Sequence, residues 1–153
     1  MSRDPGFSLL EVLFATTILT AAVLTLSQLM AAATHANASA RTSSLATLLA
    51  AQKMEQLRAR SWAFDASGAA VSDIDAGGAL DRDVDGFADW LDATGRGVLR
   101  ADAATFIRRW SVAPLPSHVD TLVLQVVVIG PEGRTRTGRA DARLVTVKTR
   151  KSL

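Results

Sequence analysis

Residues 81–92 hold the most suggestive run of oxygen ligands in the chain. Asp81-Arg82-Asp83-Val84-Asp85-Gly86 places carboxylates at alternate positions and a glycine at the sixth. That spacing opens a calcium loop, in which hard oxygen donors converge and the glycine permits a sharp turn. Counting on, the Phe87 carbonyl takes the seventh position, Asp89 the ninth and Asp92 the twelfth. The twelfth position normally carries a glutamate that reaches the ion with both oxygens, and aspartate is shorter. Gly77 and Gly78 precede the run, so no helix leads into it. Calcium is the one cofactor this spacing suggests, with Asp81, Asp83, Asp85, Phe87, Asp89 and Asp92 as ligands. The plainer reading is a solvated Asp/Gly loop between two elements. A bound ion would staple a small domain that has no cysteine and so no disulfide.

A different carboxylate stands out by isolation. Glu11 is the sole formal charge between Phe7 and Arg41, in a run dominated by Leu, Val, Ile and Ala. Residues 7–26 as helix would extend about 30 Å, the thickness of a bilayer core. A charged side chain at mid-bilayer costs about 2.5–3.5 kcal/mol on insertion scales, so Glu11 needs a positive partner. A cleaved signal peptide fits poorly. Arg3 is offset by Asp4, and the helical pattern continues past Ala31-Ala32-Ala33 with no Pro or Gly until Gly68.

Catalysis finds little support. His35 and His118 have no motif neighbours, and there is neither a phosphate-cradling loop nor a nucleophile elbow. The absence of cysteine excludes a thiol nucleophile and a Cys-based zinc site. No enzyme is expected.

At Gly6-Phe7-Ser8-Leu9-Leu10-Glu11-Val12 the sequence resembles the processing site of type IV pilins and type II secretion pseudopilins. The resemblance implies a short leader, residues 1–6, cut by a prepilin peptidase between Gly6 and Phe7, with N-methylation of Phe7. Pro5-Gly6 disfavours helix, which keeps that bond extended. The new ammonium would then be available to Glu11, either within one chain at i,i+4 or from a neighbouring subunit. Pairing with a neighbour would make the buried charge a register device. The resemblance also implies an α+β pilin fold, in which one long N-terminal helix packs on a small antiparallel sheet. More loosely, Trp62 after the helix and Arg108-Arg109-Trp110-Ser111-Val112 resemble PilV-like minor pilins and I-type minor pseudopilins. A pilus subunit, a secretion pseudopilin and an unprocessed anchor carrying a binding domain all stay open.

The elements that would carry these residues are readable from periodicity. No helix breaker occurs from Phe7 to Arg60. A membrane or filament-core half, 7–32, precedes an amphipathic half, 33–60, whose apolar stripe is Leu45, Leu49, Ala46, Ala50, Met54 and Leu57. Thr16, Thr17, Thr20, Thr25 and Ser27 can bond their own backbone, and His35 is simply a polar position. An Asp/Gly-rich connecting loop, 61–103, leads to a sheet in 104–153. Three strands are expected there: Thr105–Val112, ended by Pro114 and Pro116, then Thr121–Ile129, then Ala140–Thr149. The middle run is almost wholly apolar and suits a central strand.

One domain fits 153 residues, and 48% hydrophobic content reflects the N-terminal run. Net charge is only +2, yet residues 65–102 carry nine Asp against three Arg and residues 134–151 seven Arg/Lys against one Asp. Internal neutralisation or a subunit contact would use that split. Nucleic acid is not an expected partner, because no aromatic residue interleaves with Lys148, Arg150 and Lys151. The resemblance implies other partners: further pilins or pseudopilins, the peptidase and an inner-membrane assembly platform. It also implies a single-pass inner-membrane protein with a periplasmic C-terminal domain that later enters a filament.

Overall fold

A computed structural model describes residues 8–131 and 140–152. Gly6 and Phe7 lie outside the described residues. The chain forms two compact units, residues 1–40 and 41–153. Helix α1, Leu9–Ala59, begins in the first and ends in the second. It is long and apolar enough to cross a membrane.

Within the first unit Ser8 starts the helix. Its Oγ accepts the Glu11 N–H at 3.2 Å, and its carbonyl accepts from Glu11 and Val12. Ser8-x-x-Glu11 is the sequence form of a capping box, which satisfies N–H groups that lack an intrahelical partner. Every residue from Leu9 to Ala38 is exposed, including Leu13, Phe14, Ile18, Leu24 and Met30. The hydroxyls on this surface are already satisfied. Thr17 donates to the Leu13 carbonyl at 2.8 Å, Thr20 to Thr16 at 2.7 Å and Ser27 to Val23 at 2.8 Å. Such back-bonding removes the need of these hydroxyls for outside polar partners.

In the second unit the last turns of α1 lie on a four-stranded antiparallel sheet of order β3-β4-β5-β6. The strands are β3 Ala88–Leu91, β4 Phe106–Leu115, β5 His118–Ile129 and β6 Ala142–Thr149. Ala46, Leu49, Ala50, Met54 and Leu57 are the buried helix face, as the stripe predicts. They pack in one core with Phe106, Trp110, Val112, Leu122, Leu124, Val126 and Val128. Ala46 and Ala50 are fully buried, which lets the helix backbone approach the sheet. Burying each Leu or Val side chain contributes about 1.5–3 kcal/mol.

Strand β5 is central, as its apolar run predicts. Strand β4 runs further than expected, through Pro114 to Leu115. Val112 exchanges both backbone bonds with Gly77, on the side away from β5. Two residues on, Pro114 directs its missing N–H to that same side, where no ladder bond is lost. Pro116 and Ser117 form the hairpin turn instead, with Ser117 at φ 70°. On β6, Val145 and Val147 share the outward face, at 56% and 54% exposure.

Residues 61–103 hold more structure than a connecting loop. Besides β3 they contain β1 Trp62–Phe64 and β2 Ala70–Ser72. These form a second sheet of order β2-β1-β7, in which β7, Lys151–Ser152, runs parallel to β1. The two hairpin turns in this region are chemical copies. Asp65-Ala66-Ser67-Gly68-Ala69 and Asp92-Ala93-Thr94-Gly95-Arg96 each aim an aspartate Oδ1 at a hydroxyl and at two backbone N–H groups. Gly68 and Gly95 take the left-handed conformation the turn needs, at φ 81° and 83°.

Candidate functional site

In the first unit the candidate site is the opening turn of α1. Glu11 lies in that turn, three residues after the capping Ser8, and is exposed. Among the described residues its carboxylate forms no ion pair, while the surrounding surface is Leu9, Leu10, Val12, Leu13 and Phe14. One carboxylate thus stands on an apolar cylinder, at the helix end where a negative charge is favoured. The cleavage position Gly6 and the methylation position Phe7 fall outside the described residues.

The second unit does not gather the proposed calcium ligands. Asp83 accepts from Arg109 Nε at 2.6 Å and from the Trp90 indole at 3.3 Å. Asp89 turns to Arg108 and Lys53. Asp92 closes its own turn, where the Thr94 hydroxyl and then the Arg96 N–H hold its carboxyl below the usual range. The Phe87 carbonyl accepts the Trp110 N–H at 3.1 Å. Asp81 is exposed near Arg82, and Asp85 has no side-chain partner among the described residues. Gly86 does make the sharp turn its position requires, at φ 75°. Among the described residues no three His, Cys, Asp or Glu side chains converge as a metal set. In this arrangement Asp83 and Asp89 pair with cations and Asp92 accepts from its own turn.

What the loop builds instead is a buried ion cluster. Arg108 is only 6% exposed. Its Nη2 and Nε meet Asp89 Oδ2 at 2.6 and 3.1 Å, and its Nη1 donates to the Leu49 carbonyl at 3.1 Å. Lys53 approaches the same oxygen at 3.3 Å and lies 3.3 Å above the Trp110 ring. Burial pushes the Lys53 ammonium below the usual lysine range, while Asp89 pulls it back. The cluster ties helix, β3 and β4 together. The sequence hint was Arg108, a cation on the same strand face as Phe106, Trp110 and Val112.

The basic tail is likewise used internally. Lys148 donates to the carbonyls of Arg58, at 2.6 Å, and Arg60, satisfying the end of α1. Burial comes first, and neighbouring Lys151 and Arg58 next, in lowering its pKa. Arg150 lies 3.6 Å over the Trp62 ring and pairs with Asp120 at 3.1 Å. The aromatics beside this tail, Trp62 and Phe64, come from the other end of the domain, which is why local sequence did not show them. Compared with protein-family models, curated proteins and solved structures, the chain matches none.

Proposed function

We propose that this chain is a minor pilin-like structural subunit. A prepilin peptidase would cut after Gly6 and methylate Phe7, and the chain would then enter or prime a type IV pilus. The carrying observation is Glu11 as the sole carboxylate in the first turn of an exposed apolar helix. A helix capped by Ser8 stands without residues 1–6, so removing the leader would leave α1 intact. The ammonium created at Phe7 would supply the charge that Glu11 lacks among the described residues. In a filament, pairing Glu11 with a neighbour's amine would select one axial stagger, because any other leaves a charge unpaired in an apolar core. The second unit would be the exported domain, held by its ion cluster without disulfides.

The test separates processing from assembly. Glu11→Ala is expected to be cleaved normally and to enter filaments poorly. Wild-type filament yield from that variant would refute the pairing.

A further inference from the structure

The end of α1 and the two edges beside it enclose a groove of about 500 Å³. Four cations line it, Arg58, Arg60, Lys148 and Lys151, and among the described residues no acidic one does. Among the described residues three of the four have no carboxylate partner: Arg60 and Lys148 donate to backbone carbonyls, and Lys151 pairs with no acid. Arg58 alone pairs with an acid, the exposed Glu55. Crowded cations repel one another: after burial, Lys151 and Arg58 both act to lower the Lys148 pKa. Val71 and Val147 also line it and are 40% and 54% exposed. Cations beside exposed aliphatic side chains suit a chain that alternates carboxylates with aliphatic side chains.

We propose that this groove docks an extended acidic segment of a partner protein. Its carboxylates would meet Arg58, Arg60 and Lys151, and its aliphatic side chains would rest on Val71 and Val147. Nucleic acid fits less well, since stacking needs an open aromatic face and the Trp62 ring is covered by Arg150. The inference goes beyond the filament reading and stands without it.

Binding is measured with the full chain in detergent micelles and a short labelled peptide of alternating Asp and Val. Saturable binding is expected, weakening with salt. Arg58→Glu with Lys151→Glu should weaken it about tenfold or more, since two exposed ion pairs become repulsions. Val147→Asp tests the aliphatic contact independently and should also weaken binding. Both variants alter exposed side chains, and an unchanged melting temperature confirms their fold. Three outcomes overturn the proposal: no saturable peptide binding, binding unchanged by charge reversal, or tighter binding of single-stranded DNA or phosphatidylglycerol vesicles than of the peptide.

Discussion

Arg108 and Asp89 meet at 2.6 Å with the arginine side chain 8% exposed, and among the described residues that carboxylate oxygen is the guanidinium's one anionic partner. Removing that oxygen strands a buried charge. Asp89→Ala is expected to destabilise the domain by about 3–5 kcal/mol. Adding Arg108→Met should recover most of the loss, because an apolar side chain needs no partner. Urea unfolding of the three proteins checks this. A double variant as unstable as Asp89→Ala would show that packing, not charge, dominates the position.

Two glycines with similar backbones should respond differently to alanine. Gly78 and Gly86 both have positive φ, 86° and 75°. An added Cβ at Gly86 meets nothing within 4 Å, whereas at Gly78 it meets the Trp110 carbonyl and the Phe87 ring. Gly86→Ala should cost about 1 kcal/mol from conformation alone. Gly78→Ala should cost at least about 2 kcal/mol more, by overpacking. Melting curves of both variants decide it.

The long helix and its buried stripe were legible because each rests on a long periodic pattern, and the central strand because its apolar run is nearly unbroken. Trp62–Phe64, Ala70–Ser72 and Ala88–Leu91 were not: strands of three or four residues carry almost no period, and their pairing is set by the Asp65 turn and by β4. The repeated Asp-Ala-Ser/Thr-Gly was visible and would have marked two hairpins. Strand β4 outlasted Pro114 because backbone direction, not residue type, decides whether a proline is costly. At the N-terminus, Glu11 was legible by its isolation, and Ser8-x-x-Glu11 as a cap was there to be read. The fates of Asp83, Asp89, Lys148 and Arg150 were not legible, since each partner is brought by tertiary structure.

The twin turns predict acid sensitivity. Hydroxyl contacts, from Ser67 to Asp65 and from Thr94 to Asp92, come first in lowering both carboxyls from 3.8. A carboxyl depressed in the folded state stabilises it above the unfolded value and loses that contribution as pH falls through the folded one. Thermal melts should therefore fall below about pH 4. Asp65→Asn with Asp92→Asn should lower stability at neutral pH and flatten this acid limb. An equally steep limb in the double variant would assign the acid loss to other groups.

Lys148 should matter as a cap more than as a surface charge. It donates to carbonyls at the end of α1, where cations are favoured. Lys148→Met is expected to cost about 1–2 kcal/mol. Lys151→Met, with no such contact, should change stability little, and denaturant midpoints compare the two.

Whether Glu11 gains its partner by cleavage is reported directly by the N-terminus. Intact-mass and N-terminal peptide spectra of the chain extracted from its native membrane are predicted to show residues 1–6 removed and a methylated Phe7. A chain that still begins at Met1, or an unmethylated terminus elsewhere, would contradict it.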